Sequence, residues 1–166
     1  MARVSLILGG ARSGKSARAL SLAAAPRTFL VTGQALDPEM GERIAAHQFE
    51  RGPDWTLVEE PLNISEPIMA HRDGALVVDC LTLWLNNLIY HERDVAAESA
   101  TLIVALRECG RIILVSNEVG LSIAPENALA RRFRDDQGRL NQQIAAVADH
   151  VEFVAAGLPL TLKGSL

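Results

Sequence analysis

The sequence contains few aromatic residues, few cysteines and no long uninterrupted apolar run. Only four Phe, two Trp and one Tyr occur among 166 residues, so Leu, Ile, Val and Ala must build the core, which suits helices packed on a parallel sheet. Two cysteines, Cys80 and Cys109, are too few for a disulfide framework and lack metal-ligand spacing, which favours a reducing cytoplasm. The most apolar stretch, residues 74–90, is interrupted by Asp79 and two asparagines, which argues against a membrane span.

An excess of positive charge is also missing. The chain has 20 acidic and 16 basic residues and a net charge of -4 with neutral histidines. The chain therefore has no overall positive field to hold a nucleic acid backbone, and we expect no nucleic acid partner. A local basic cluster is still compatible with this net charge. The length matches one domain of about 100 to 200 residues. Because no linker, repeat or low-complexity tract divides the chain, we expect a single domain over residues 1–166.

Strand-like and helix-like patterns alternate along the chain, which predicts an α/β fold. The last two apolar runs, residues 151–154 and 160–162, flank Gly157-Leu158-Pro159 and predict a hairpin, so one strand is antiparallel in an otherwise parallel sheet. The expected class is a three-layer fold with a mostly parallel sheet. Further strands are predicted at residues 4–8, 28–32, 55–58, 75–78 and 112–115, and helices at 15–25, from 37 toward 52, at 62–71, at 81–109 with a break near 90–94, and at 128–148 with an interruption around Gly138.

The first strand and helix are joined by a stretch that fits the phosphate-loop pattern G-x-x-x-x-G-K-[ST] in the context that the motif requires. Glycines let backbone N–H groups turn inward around phosphate oxygens, and the positive end of the helix dipole assists them. Lys15 is expected to reach the β- and γ-phosphates and Ser16 to hold Mg²⁺. The motif therefore predicts that residues 1–166 form a single P-loop nucleotide-binding domain with the three-layer fold of P-loop NTPases. The alternative is a glycine-rich tight turn. The eight residues are Gly9, Gly10, Ala11, Arg12, Ser13, Gly14, Lys15 and Ser16.

Asp79 supplies a second candidate metal ligand. It ends the apolar run of residues 75–78, where an acid can hold the Mg²⁺ hydration shell beside the phosphate loop. The alternative is a helix cap, because a helical pattern follows immediately. No Asn-Lys-x-Asp motif for guanine specificity occurs, which argues against a switch GTPase.

Three further features have two interpretations each. His47 borders the apolar stripe of a predicted helix, and its spacing alone fits a structural or surface residue as well as a catalytic one. Arg131, Arg132, Arg134 and Arg139 fit a solvated helix face or a site that neutralises phosphates. The pair at residues 117–118 follows a strand, where ligands bind in open α/β sheets, so a substrate role is plausible.

Several ordered motifs resemble the bifunctional adenosylcobinamide kinase and adenosylcobinamide-phosphate guanylyltransferase family of cobalamin biosynthesis. The resemblance covers nearly the whole chain, and the block from residue 117 to 135 is much more specific than the phosphate loop. The motifs are GGARSGKS at 9–16, ALDPEM at 35–40 followed by Arg43, Ile44 and His47, VDCLTLW at 78–84, NNL at 86–88, NEVG at 117–120, PEN at 125–127, RFRD at 132–135, Gly138 with Asn141 and Gln142, and AD at 148–149 followed by AGLPL at 156–160.

The resemblance implies two successive transfers. A nucleoside triphosphate, ATP or GTP, phosphorylates adenosylcobinamide, and a histidine then takes GMP from GTP and passes it to adenosylcobinamide phosphate, giving adenosylcobinamide-GDP. The family's nucleophile falls on His47, and Lys15 is the second catalytic residue. A homotrimer is also implied. The nucleotide contacts carried over are residues 9–16, Val31, Thr32, Gly33, Gln48, Phe49, Glu50, Arg51, Glu59 and Asp79.

Two other functions fit the phosphate loop. One is a P-loop kinase with a single activity on another small metabolite. The other is a P-loop ATPase or switch that couples hydrolysis to a partner. A switch is expected to carry a base-specificity motif or effector insertions, and 166 residues leave space for neither.

Overall fold

Seven strands and five helices form the part of the chain that the computed structural model describes, residues 3–34 and 54–165. The strands are β1 (Val4–Gly9), β2 (Arg27–Val31), β3 (Trp55–Glu59), β4 (Ala75–Asp79), β5 (Arg111–Asn117), β6 (His150–Ala155) and β7 (Leu158–Lys163). The helices are α1 (Lys15–Leu22), α2 (Ser65–Ala70), α3 (Leu81–Tyr90), α4 (Val95–Glu108) and α5 (Ala128–Val147).

The strands form one sheet in the order β3-β2-β4-β5-β1-β6-β7. Strands β1 to β6 are mutually parallel, and β7 pairs with β6 in the antiparallel sense. The predicted α/β class with a C-terminal antiparallel hairpin is therefore confirmed. Because the six parallel strands point the same way, all their carboxyl ends lie at one edge of the sheet, where α/β proteins bind ligands.

Alternating side chains of the strands bury two separate apolar clusters. Leu6 and its neighbours pack against helices α2 to α5, whereas Ile7, Val77 and Val115 share the other cluster with Ala19 of α1. The helices thus lie on both faces of the sheet, as predicted. The alternation also decides which way each side chain points at the carboxyl edge. A residue two positions beyond Ile7, Val77 or Val115 points to the face of the sheet that carries α1.

The predicted break in the long helical segment is confirmed. Helix α3 ends at Tyr90 and α4 begins at Val95, and the Asp94 carboxylate accepts hydrogen bonds from the N–H groups of Ala96 and Ala97 at 2.9 and 3.1 Å. Helix α1 stops at Leu22, three residues before the predicted end, because the chain becomes extended at Ala23 ahead of Pro26.

Two local predictions are wrong. Helix α5 runs through Gly138 without interruption, because one glycine costs a helix only about 1 kcal/mol relative to alanine and the packing of α5 outweighs that cost. The last turn consists of Ala156 and Gly157, with Leu158 and Pro159 already inside β7. Proline is tolerated there because β7 is an edge strand. The helix predicted from residue 37 lies outside the described residues.

Candidate active site

The phosphate loop between β1 and α1 has the backbone geometry of an anion-binding concavity. Arg12 and Gly14 adopt left-handed conformations with φ of 56° and 94°. Such an alternation turns successive N–H groups toward one side. The Lys15 ammonium donates to the Gly10 carbonyl at 3.1 Å, and the residue as a whole is only 9% exposed. Its charge therefore lies close against the loop.

The amino terminus of α1 has no competing anion of its own. Its cap residue, Gly14, offers no side-chain acceptor, and the first turn contains no acidic residue. Helix α5, by contrast, is capped by the Asn127 side chain. The first N–H groups of α1 and the positive end of its dipole are thus directed at the loop, where a phosphate is the natural ligand.

The hairpin turn between β6 and β7 supports the loop from behind. The Gly157 N–H donates to the Ser13 carbonyl at 2.8 Å. A Cβ atom on Gly14 would lie 3.1 Å from the Gly157 Cα, and one on Gly9 would lie 2.6 Å from the Val154 carbonyl oxygen. The glycines therefore allow loop and hairpin to touch. Sequence reasoning missed this contact, although residues 156–160 were among the resembling motifs.

The predicted nucleotide-binding residues within the described ranges follow the carboxyl edge of the sheet. Glu59 ends β3, Val31 ends β2, Asp79 ends β4 and Gly9 ends β1. At about 4.8 Å per strand, the four steps from β1 to β3 span roughly 19 Å. Val31 is buried and Glu59 is exposed. His47, Gln48, Phe49, Glu50 and Arg51 lie outside the described residues.

Thr32 holds the backbone that follows Asp79. Its fully buried hydroxyl donates to the Cys80 carbonyl at 2.8 Å and accepts from the Cys80 N–H at 2.9 Å. The Asn87 amide donates in turn to the Thr32 carbonyl at 2.7 Å. The Thr32 side chain therefore shapes the edge of the sheet rather than facing the loop's concavity, and the half-buried Gly33 follows it.

Cys80 is not a competing nucleophile at this edge. Burial, aided by the negative charge of Asp79, raises the pKa of its thiol to about 11. The thiol therefore stays protonated near neutral pH, and a thiol in that state is a poor nucleophile.

Asp79 and Ser16 have suitable chemistry for Mg²⁺. Asp79 follows Val77 by two residues, so it points to the face that carries α1 and Ser16. Mg²⁺ is usually held by one or two protein oxygens together with substrate phosphates and water. Among the described residues no group of three or more His, Cys, Asp or Glu side chains could hold a metal ion by itself. One hydroxyl and one carboxylate fit an ion that the substrate phosphates also bind.

A buried polar cluster lies beneath the carboxyl end of β5. The Ser116 hydroxyl donates to Asn141 Oδ1 at 2.7 Å, and Gln137 Nε2 donates to both groups at 3.0 and 3.1 Å. Asn141 Nδ2 donates to the Asn117 carbonyl at 3.2 Å, and the Asn117 N–H donates to the Thr82 hydroxyl at 2.9 Å. The pair at 117–118 was a sequence-level candidate, but the supporting polar side chains were not foreseen.

Three of the four arginines of α5 have acidic partners on the same helix, and Arg131 donates instead to the Pro125 and Glu126 carbonyls. Arg132 and Arg139 pair with Asp136 at 3.5 and 2.8 Å, and Arg134 lies 3.5 Å from Asp135. These contacts favour the interpretation of a solvated helix face.

Comparison with known sequences now identifies the family. The family model described as cobinamide kinase / cobinamide phosphate guanyltransferase matches residues 5–162. The chain belongs to this family. The cobinamide kinase / guanyltransferase relatives include two proteins described as bifunctional adenosylcobalamin biosynthesis proteins. CobP of Pseudomonas aeruginosa is 46% identical, covering 96% of this chain and 96% of the relative. CobU of Salmonella typhimurium is 38% identical, covering 95% and 98%.

A solved structure agrees with the fold. An ATPase from the type III secretion system of pathogenic bacteria matches 96% of this chain with a TM-score of 0.54 at 12% identity. The match spans 56% of that longer chain. At this identity the likeness shows only that the cobinamide kinase / guanyltransferase chain has a P-loop NTPase fold.

Proposed function

We propose that this chain carries out both transfers of its family on one phosphate loop: phosphorylation of adenosylcobinamide, then transfer of GMP to adenosylcobinamide phosphate. The observation that carries the proposal is the family match over residues 5–162 combined with an uncapped α1 terminus behind a loop with two left-handed residues. That geometry suits the triphosphate that both reactions consume.

In the kinase reaction the substrate hydroxyl attacks the γ-phosphorus of ATP or GTP. The bond from phosphorus to the β,γ-bridging oxygen breaks, the nucleoside diphosphate leaves, and the hydroxyl proton is released. The loop N–H groups and Lys15 bind the phosphates, because positioning and charge neutralisation supply most of the catalysis in phosphoryl transfer. Ser16 and Asp79 would hold Mg²⁺, which would supply positive charge to neutralise the phosphates during transfer.

In the second reaction the His47 imidazole attacks the α-phosphorus of GTP, and pyrophosphate leaves. The phosphoramidate then passes GMP to a phosphate oxygen of the corrinoid substrate, which restores the free imidazole. A covalent intermediate divides one difficult displacement into two easier ones. Val31 to Gly33, Gln48 to Arg51 and Glu59 are the proposed nucleotide contacts outside the loop.

Labelling tests the second reaction directly. GTP with a labelled α-phosphate should give an acid-labile protein-bound GMP adduct in the wild-type chain and none in His47→Ala. His91→Ala, at an exposed histidine after α3, is the matched control and should label normally. A wild-type chain that phosphorylates adenosylcobinamide but never labels would instead be a kinase with a single activity.

The same proposal includes a single domain over residues 1–166, a cytoplasmic location and a homotrimer. Two free, buried cysteines suit a reducing compartment. No helix within the described ranges is long and apolar enough to cross a membrane. Three exposed leucines of the edge strand β7, namely Leu158, Leu160 and Leu162, supply apolar surface suited to a subunit contact.

A further inference from the structure

We propose that the Asn117 carboxamide contacts the γ-phosphoryl group during the kinase reaction, with the buried cluster of Ser116, Gln137 and Asn141 holding its strand end in place. This inference rests on the proposed kinase activity and adds a catalytic residue to it.

The order of the strands places Asn117 between the two phosphate-binding elements. Strand β5 lies between β1, which leads into the phosphate loop, and β4, which ends in Asp79. Asn117 is level with Gly9 in the parallel register, and Val115 is level with Asp79. Asn117 therefore extends two residues beyond Asp79, directly beside the start of the loop.

The side chain of Asn117 points to the face of the sheet that carries the phosphate loop and α1. Val115 belongs to the apolar cluster of α1, and Asn117 follows it by two residues. Asp79 has the same relation to Val77. Both polar side chains thus project to the α1 side of the carboxyl edge, and the Asn117 side chain makes no hydrogen bond with any residue in the described ranges.

The backbone of Asn117 is held from the opposite face. Ser116 points away from α1, and its hydroxyl joins the amides of Gln137 and Asn141, all of which are at most 5% exposed. Asn141 donates to the Asn117 carbonyl, and Thr82 accepts from the Asn117 N–H. Both backbone groups of Asn117 are therefore occupied by side chains, which holds the backbone in place and leaves the carboxamide as the group that can donate to a ligand. A fixed donor is what stabilises developing charge well.

The proposed role is a hydrogen bond from Asn117 Nδ2 to a nonbridging oxygen of the γ-phosphoryl group. As the substrate oxygen bonds to the γ-phosphorus and the bond to the bridging oxygen breaks, negative charge is spread over the transferring group and the leaving diphosphate. The carboxamide does not exchange a proton, so no further reactant is needed.

Substitution of Asn117 tests the contact. Asn117→Ala should lower kcat for phosphorylation of adenosylcobinamide about 100-fold, as expected for loss of one donor to transition-state charge, and should raise KM for ATP no more than about fivefold. Asn117→Asp should lose at least as much, because a carboxylate accepts but does not donate. GMP labelling should fall less than about tenfold, because the γ-phosphorus is not attacked in that reaction. Asn86→Ala, at an exposed asparagine of α3, is the matched control.

A binding measurement separates this proposal from the proposed function. The dissociation constant for ADP divided by that for a nonhydrolysable ATP analogue should be about fivefold lower in Asn117→Ala than in wild type. This expectation holds whether or not adenosylcobinamide is the acceptor. The wild-type chain could phosphorylate no corrinoid while Asn117→Ala still shows the altered ratio. That outcome overturns the proposed substrate and supports the contact. An unchanged ratio and unchanged kcat overturn the contact, and an equal loss of kcat, labelling and thermal stability would show a structural role.

The positioning role of the cluster has its own readout. Asn141→Leu should lower kcat for phosphorylation at least tenfold while the dissociation constant for ADP stays within twofold of wild type. Gln142→Ala, an exposed neighbour on α5, should change neither. If Asn141→Leu lowers only the melting temperature, the cluster stabilises the fold without positioning Asn117.

Discussion

Lys15 lies against its own loop, where its ammonium donates to the Gly10 carbonyl at 3.1 Å. Because both proposed transfers bind a triphosphate in this loop, we predict that Lys15→Ala impairs phosphorylation and GMP labelling alike, each about 100-fold. Rates of both reactions at saturating nucleotide check this. Lys163→Ala, at the chain's second lysine, is the control and should leave both rates intact. A full kinase rate in Lys15→Ala would contradict a shared loop.

A partly buried ion pair joins the helix of the phosphate loop to the sheet. Arg18 of α1 donates to both carboxylate oxygens of Glu152 at 2.8 and 2.7 Å, and His150 Nε2 lies 3.0 Å from the same carboxylate. Glu152 is 2% exposed. The hydrogen bond from Arg18 holds the pKa of Glu152 below its usual value, despite the opposing effect of burial. Because Arg18 and Glu152 are 134 positions apart, no local sequence pattern predicts their contact.

The sign of the resulting pH dependence follows from this lowered pKa. The unfolded chain binds the Glu152 proton at a higher pH than the folded chain does, so the pair's contribution is full above about pH 4.3 and is lost as the pH falls through the folded pKa. We predict that Glu152→Gln costs about 1–3 kcal/mol of unfolding free energy at pH 7, below the usual range for a buried pair because Arg18 is partly exposed. Urea unfolding between pH 3 and 7 should show a flatter acid limb for Glu152→Gln than for wild type. Parallel curves would refute the assignment.

Among the elements, α5 shows how packing overrides a local signal. Gly138 predicts an interruption, yet α5 is continuous over its 20 residues. A Cβ atom at Gly138 would meet no atom within 4 Å. We predict that Gly138→Ala stabilises the chain by about 1 kcal/mol, a rise of roughly 2–4 °C in Tm by thermal denaturation.

Gly74→Ala provides the contrast to Gly138→Ala. Gly74 has a φ of 75°, and its added Cβ would lie 1.9 Å from the Pro26 carbonyl oxygen, so Tm should fall. A lowered Tm in Gly138→Ala would mean that α5 needs the glycine for a reason other than helix propensity.

The β6–β7 hairpin is coupled to the phosphate loop through Gly157, whose φ is 78°. Alanine is strained by about 1–2 kcal/mol in this left-handed backbone conformation. If the backbone rotates to relieve that strain, the N–H at position 157 turns away from the Ser13 carbonyl. We predict that Gly157→Ala weakens binding of a nonhydrolysable ATP analogue about tenfold. Ala156→Gly relieves a φ of 52° in the same turn and should bind normally. Normal affinity in Gly157→Ala, with only Tm lowered, would show that the turn does not shape the loop.

At the scale of the whole molecule, the two edges of the sheet differ in apolar surface. Edge strand β7 exposes Leu158, Leu160 and Leu162, whereas edge strand β3 exposes Leu57 at 43%. If the leucines of β7 contact another subunit, light scattering should give three times the 17.9 kDa chain mass for wild type and a smaller mass for Leu160→Glu. Leu57→Glu is the matched control on the opposite edge. Retention of the wild-type mass in Leu160→Glu would exclude β7 as the subunit contact.

The sequence by itself determined the fold class, the loop between the first strand and helix, and the position of Asp79 at the end of a strand. Each depends on a contiguous pattern: strand and helix periodicity, glycine spacing, and an acid directly after a buried run. The family motifs likewise needed only order along the chain. The tertiary structure decided the strand order, which places β5 between β1 and β4 and so brings Asn117 beside the loop. It also decided the contacts of Gly157 with Ser13 and of Arg18 with Glu152. These pairs are far apart in sequence, and only the packing of the sheet brings their atoms within hydrogen-bonding distance.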